Sequence, residues 1–222
     1  MSMKKEIIVT NDGSNSLFAT EINECYHSKH GAIVEAEHVF IKNGLSAVNK
    51  KTINILEIGL GTGLNALLTA QKAKKRSINV NYHAIELYPI TEEHYKQLNF
   101  SKLIGLEQEE LEILHTCSWE EEHKISTYFR FKKNHTSLKK YNTSGKFDII
   151  YFDAFSPEKQ PEMWKRKVFR KMYNFLKDDG FLVTYCAKGE VKRTLRDSGF
   201  KIIVLDGPPG KRQMTRANKN II

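Results

Sequence analysis

The residues of this chain best suited to chemistry are a glycine loop and three carboxylates. In the stretch NILEIGLGTGLNALL, residues 54–68, an apolar run carries Glu57, breaks into Gly59, Gly61 and Gly63 at alternate positions, and resumes as a helix. Glycine permits positive φ and close backbone approach, so a ligand can lie directly against such a loop. The pattern is E-x-G-x-G-x-G with Leu at position 64. A dinucleotide site would instead prefer G-x-G-x-x-G, with pyrophosphate over the helix N-terminus. A carboxylate is poorly placed beside a pyrophosphate and suits a cationic ligand, met directly or through water. Glu86 follows the glycines by roughly 20 residues, where an acid at a strand end can accept both hydroxyls of a ribose. Asp153, in YFDAFSP, falls at the end of another strand. It could accept a hydrogen bond from an amine, orient the nitrogen lone pair and stabilise charge developing there.

Positioning these groups requires strands that end together. INILEI (53–58) reads as a short buried strand, and Leu64 to Lys74 as a helix with apolar residues at three- and four-residue spacing. INVNYHAIEL is a second strand, TEEHYKQL opens a helix behind a Thr cap, STYFRFK is a third strand and KFDIIYFDAF a fourth. EMWKRKVFRKMYNFL is a long amphipathic helix, GFLVTYCA a fifth strand, GEVKRTLRDSGF a helix closed by Gly199, KIIVLD a sixth strand and KRQMTRAN a seventh. Strands alternating with helices predict an α/β, Rossmann-like fold with a mainly parallel, seven-stranded sheet. Its ligands should lie beyond the carboxyl ends of the strands. Residues 1–50 fit less well: ECYHSKHGAIVEAEHVFIKNGL reads as short strands and turns, a β-rich extension beside the domain over 51–222.

Composition narrows the partners. The chain has 222 residues, enough for one well-buried core, and a net charge of +9. A surplus of cations raises the chance of a polyanionic partner. From Lys188 onward there are nine Lys or Arg against Glu190, Asp197 and Asp206. No apolar run approaches the roughly 20 residues of a membrane helix, and the N-terminus lacks the apolar region of an export signal, so a cytoplasmic protein with no membrane partner is expected. Cys25, Cys117 and Cys186 are distant and odd in number, which predicts reduced thiols. Cys25, His27 and His30 form one short cluster without a second ligand pair, so no metal is expected.

The E-x-G-x-G-x-G loop with Glu86 resembles the first motifs of class I S-adenosylmethionine methyltransferases. More specifically, GLGTGLN, YFDAFSPEKQPEMW, GEVKRTLRDSGF and GPPGKRQM resemble, in the same order, the methyltransferase part of the bifunctional MnmC family of tRNA-modifying proteins. The similarity runs from about Cys25 to Ala217. It implies S-adenosylmethionine as cofactor and methylation of the 5-aminomethyl group on the wobble uridine of tRNA. It also implies cofactor contacts at Glu57, Gly59, Gly61, Gly63, Asn65, Glu86 and Asp153, with Asp153 catalytic. Where the family tends to carry an Asp near the adenine, Asn134 aligns. Tyr26, Ser28 or Glu35 could help close the cofactor site. An anticodon loop would dock on Lys188, Lys192, Arg193, Lys211 and Arg212 through its phosphates. Phe155 and Tyr185 are candidates for stacking on an unpaired base, whereas Trp164 reads as a core residue. The bifunctional members continue into an oxidoreductase domain, so a chain ending at Ile222 is expected to be a stand-alone version that depends on other enzymes for the aminomethyl intermediate. The alternatives are an aminopropyltransferase, disfavoured by the basic composition beyond Asp153, and a non-catalytic RNA-binding module.

Overall fold

The computed structural model describes residues 4–219. At the N-terminus β1 (Lys5–Val9), β2 (Asn15–Ala19) and β3 (Glu24–Cys25) form a small antiparallel sheet. The next segment departs from the strands and turns expected of it. α1 (Ala32–Ala36) runs into a π-helical stretch over Glu37–Lys42, and a 3-10 turn covers Leu45–Ala47. Ala32, Ala36, Val39 and Phe40 are buried, and their three- and four-residue spacing makes one helical stripe against the main sheet.

The main sheet holds eight strands: β4 (Thr52–Ile58), β5 (Asn79–Glu86), β6 (Glu122–Ser126), β7 (Phe129–His135), β8 (Phe147–Phe152), β9 (Leu176–Thr184), β10 (Phe200–Asp206) and β11 (Gln213–Lys219). Their order is β10-β11-β9-β8-β4-β5-β7-β6. The count exceeds seven because STYFRFK does not form one strand. Ser126 ends β6, the chain turns, and Phe129 opens β7 antiparallel to it. β4 pairs in parallel with both β5 and β8, so successive crossovers leave it in opposite directions and the loops after β4 and β8 diverge into a crevice.

Helices cover both faces. α2 (Leu64–Arg76) and α5 (Gln108–Thr116) join α1 on one, with the short α3 (Glu92–Tyr95) and α4 (Phe100–Leu103) beside them; α6 (Arg166–Phe175) and α7 (Gly189–Asp197) cover the other. The expected long helix around α6 is broken: Pro161–Trp164 is a 3-10 turn and Lys165 is extended before α6 begins.

Side-chain alternation along a strand then decides where the acids go. Ile53 and Ile55 on β4, Val80, Tyr82 and Ala84 on β5, and Ile149 and Tyr151 on β8 all belong to the α2 side. Continuing that period of two brings Glu57, Glu86 and Asp153 to the same face. At the opposite, N-terminal end of the strands, Asp148 is clamped. Its carboxylate accepts from Lys50 Nζ (2.7 Å), Lys177 Nζ (2.8 Å) and the Asn54 N–H (2.8 Å). Burial pushes this carboxyl up, but those three donors outweigh it and leave it below its ordinary range. Such a group stabilises the fold above the unfolded-state pKa, and the contribution is lost as pH falls through the lowered folded value. Asp148→Ala should cost about 2–3 kcal/mol at neutral pH by urea unfolding. The difference from the parent protein should shrink below about pH 4.

Candidate active site

The crevice between the β4 and β8 loops is a cavity of about 660 Å³. Its floor is the glycine loop. Gly59, Gly61 and Gly63 have φ of +89°, +51° and +76°. A Cβ on Gly59 would lie 2.8 Å from the Asp153 carbonyl oxygen, so only glycine lets the two loops meet. His115 supports the floor from behind, donating from Nε2 to the Thr62 carbonyl at 3.1 Å while its ring stacks on Tyr95. His27 ties the small sheet to the same loop, hydrogen-bonded between Ser16 Oγ and Thr62 Oγ1. Burial pushes both imidazoles down to about 4, so they act here as neutral struts.

The three acids occupy different depths. Glu86 lies on the cavity wall, its carboxylate fixed by the Gly61 N–H (2.9 Å) and the Tyr88 N–H (2.8 Å). Asp153 also lines the cavity. Glu57 does not: it is fully buried behind the wall, which corrects the expectation that it meets the ligand. Asn65, in the first turn of α2, stands between them. Its Nδ2 donates to Glu57 Oε1 (2.8 Å) and to Asp153 Oδ2 (2.8 Å), using both amide hydrogens on carboxyl groups of adjacent strands. Glu57 therefore anchors Asn65, and Asn65 anchors Asp153.

Burial above all pushes Asp153 up to about 7; the charge of Glu35 adds to this, while the Asn65 hydrogen bond and the Lys211 charge oppose it. Glu57 is pushed well above the carboxylate range by burial, with the Asn65 bond opposing and Asp153 adding. Glu35, from α1, accepts from the Ser28 N–H at 2.9 Å and pairs with Lys211, whose ammonium lies 4.1 Å from the centroid of the Tyr185 ring. The loop after β8 is braced through its carbonyls: Tyr185 donates to Ala154 (2.9 Å) and Trp164 Nε1 to Phe155 (2.8 Å). Glu24 takes the Ser156 N–H and hydroxyl, and Tyr26 meets Phe155 edge-on with ring centroids 5.1 Å apart. Trp164 packs in the core against Phe152 and Phe169, as its helical setting suggested, although its own turn is 3-10.

Other expected contacts are rearranged. Asn134 turns its amide back to the Ala84 carbonyl (3.0 Å) and does not line the cavity; Leu87, Tyr88 and Thr136 to Leu138 form that wall. Among the five basic residues assigned to phosphates, only Lys211 reaches the cavity, and there it is turned inward onto Glu35. Lys188 pairs with Glu158, Lys192 bonds Gln213 at 3.5 Å, and Arg193 and Arg212 are exposed and away from the cavity wall. Sequence spacing could not foresee this, because the partners Glu35 and Lys211 are 176 residues apart. Phe155 and Tyr185 do lie on the wall.

A parallel sheet reversing at β4, a glycine loop after that strand and an acid at the end of the next define a class I, Rossmann-like methyltransferase fold. A family model of S-adenosyl-L-methionine-dependent methyltransferases matches residues 109–220, half of the chain, and the chain belongs to that family, with S-adenosyl-L-methionine as cofactor. It is similar to the tRNA 5-methylaminomethyl-2-thiouridine biosynthesis bifunctional protein MnmC of Cupriavidus metallidurans, at 32% identity over 96% of this chain and 33% of that protein. It is also similar to the protein of the same name from Leptospira interrogans, at 32% identity over 87% of this chain and 32% of the relative. The chain thus spans about a third of the length of these curated relatives. In fold it resembles MNMC2 of Aquifex aeolicus, with a TM-score of 0.79 and 24% identity over 100% of this chain and 72% of that one. It also resembles spermidine synthase of Thermotoga maritima, with a TM-score of 0.60 and 13% identity over 100% and 71%.

The residues present fit the cofactor. Gly59 and Gly61 of the loop line the cavity, Glu86 is held at the wall by two backbone N–H groups, and Asn65 keeps a buried amide oxygen without a protein partner. The raised folded pKa of Asp153 also has a stability consequence. Folding favours its protonated form, so its contribution is fully present below the unfolded-state value and is lost as pH rises towards about 7. In thermal melts without ligand, Asp153→Asn should be more stable than the parent protein at pH 8, and this advantage should disappear near pH 4.

Proposed function

We propose that the protein methylates the 5-aminomethyl group of the wobble uridine in tRNA, giving 5-methylaminomethyl-(2-thio)uridine. The observation that carries this reading is Asp153 on the cavity wall, tied by Asn65 to Glu57 and poised near neutrality beside the cofactor loop. The curated relatives named for 5-methylaminomethyl-2-thiouridine biosynthesis support the substrate. On this reading tRNA is the partner, met through its anticodon loop in the cytoplasm, and other enzymes supply the aminomethyl nucleoside.

Gly59 and Gly61 would hold the cofactor against the loop backbone, and Glu86 would accept its ribose hydroxyls; Gly63, expected to join them, does not line the cavity and instead packs its Cα side against His115. When bound, S-adenosyl-L-methionine supplies an electrophilic methyl group. A primary amine is protonated in water, so the chain's own task is to deliver it neutral. Asp153 accepts a hydrogen bond from the incoming amine, takes its proton and aims the lone pair. A carboxyl at its ordinary pKa would be a poor base for this; one raised towards 7 is matched to neutral pH. Tyr26, Phe155 and Tyr185 supply aromatic faces for the base that carries the amine.

Basic composition does not by itself exclude an aminopropyltransferase, because Lys211 is paired with Glu35, and Glu24, Glu35, Glu86, Asp153 and Glu162 line the cavity. Membership of the methyltransferase family is what disfavours that reading. Labelled cofactor incubated with tRNA bearing 5-aminomethyluridine should place label in the wobble nucleoside; its absence would refute the assignment. Asp153→Asn should lower kcat by about 10²–10⁴ with little change in cofactor affinity measured by calorimetry. The kcat/KM profile should carry a limb near pH 7, and Glu35→Gln should move that limb to lower pH, because Glu35 is one of the groups holding Asp153 up.

A further inference from the structure

Of the basic side chains that the sequence offers to RNA, Lys211 is turned inward onto Glu35, Lys188 is paired with Glu158 at the surface, and Arg193 and Arg212 are exposed but away from the cavity wall, while another set stands at the cavity itself. Lys139, in the loop after β7, and Lys167 and Lys171, on α6, line the same cavity as Asp153. Lys171 donates to the carbonyls of Leu138 (2.8 Å) and Lys139 (3.2 Å), which fastens that loop to α6 and brings its two lysines, Lys139 and Lys140, beside the helix. On α6 the spacing 167, 170, 171 places Lys167, Arg170 and Lys171 on one face, because residues three and four apart are neighbours on a helix. Phe169, Met172 and Phe175 take the buried side.

Lys139, Lys140, Lys165, Lys167 and Arg170 are all exposed, and none makes an ion pair among the described residues. One acid, the exposed Glu162, shares this part of the rim. By contrast Lys188 and Lys211 are neutralised by Glu158 and Glu35. Lys139 and Lys167 lie on the cavity wall, with Lys140 next to the first and Lys165 and Arg170 within a turn of the second; exposed cations without ion pairs, flanking a cavity lined by Tyr26, Phe155 and Tyr185, suit a polyanion that feeds one base inward and stays outside itself.

We infer that the loop 136–140 and the exposed face of α6 form the docking surface for the phosphodiester backbone of the RNA substrate, in place of the region around 188–212. This rests on the tRNA reading above. The probe is an anticodon stem–loop RNA bearing 5-aminomethyluridine, with its affinity measured by fluorescence anisotropy at several KCl concentrations. Each phosphate neutralised contributes about 0.7–0.9 to the slope of log K against log salt. The variant Lys139→Ala/Lys167→Ala/Arg170→Ala should therefore bind on the order of tenfold more weakly, with the slope reduced by about two. Lys74→Ala/Lys75→Ala, two exposed cations at the far end of α2, should leave the slope unchanged. Circular dichroism checks that both variants fold. A slope in the triple variant equal to that of the parent protein overturns the inference, as does a slope that falls in Lys188→Ala/Arg193→Ala/Arg212→Ala instead. Methyl transfer by the parent protein separates the two levels. Transfer with an unmoved slope sinks the surface and keeps the function; a moved slope without any transfer keeps the surface and sinks the function.

Discussion

One side-chain amide holds this site together. Asn65 spends both hydrogens of its Nδ2 on two carboxyl groups, one behind the cavity wall and one on it. Those carboxyls belong to the ends of two neighbouring strands, and Asn65 itself to the first turn of the helix that follows the glycine loop. The contact is possible only because the sheet reverses at β4 and because the glycines let the β4 loop press against the backbone of the β8 loop. Removing the amide would leave two buried acids facing each other without a shared donor, an arrangement that low-dielectric surroundings penalise.

The charge distribution follows from the same geometry. A chain with a net charge of +9 encloses a cavity lined by Glu24, Glu35, Glu86, Asp153 and Glu162. Burying acids here costs stability, and the cost shows as the upward shifts of Asp153 and Glu57, caused first by burial and then by the charge of a neighbouring acid. A carboxyl that prefers to be protonated when the site is closed off, yet sits within reach of neutral pH, can exchange its proton with an amine. Of the cations on the same wall, Lys211 is paired with Glu35, Lys171 is bound to the carbonyls of Leu138 and Lys139, and Lys139 and Lys167 are exposed towards the rim. Structure and chemistry therefore divide the proposed substrate in two, an amine for the acidic interior and a polyanionic backbone for the basic surface.

Much of this was legible before any coordinates. The period-two alternation of INILEI, INVNYHAIEL and KFDIIYFDAF already sends Glu57, Glu86 and Asp153 to one face, and the glycine spacing marks the loop beneath them. What alternation cannot say is depth. Glu57 lies one strand position before Ile58 and is sealed by α2, whereas Asp153 lies just beyond its strand and opens to the cavity. Residues 32–42 read as strands and turns because short apolar runs suit strand and helix alike; their burial on one stripe becomes visible only once the sheet they cover is known. The basic tail misled for a different reason. Charge counted along the chain ignores pairing across it, and Lys188 and Lys211 find their acids 30 and 176 residues away.

The central claim is that Asp153 is held near neutrality by burial and by Glu35 while Asn65 keeps it in place. Carbon-13 labelling of the aspartate carboxyls, with the Asp153 signal assigned by its loss in Asp153→Asn, measures this directly. The account predicts a titration midpoint close to 7 in the parent protein and a lower one in Glu35→Gln. A midpoint near the ordinary aspartate value of about 4, unmoved by Glu35→Gln, would contradict it.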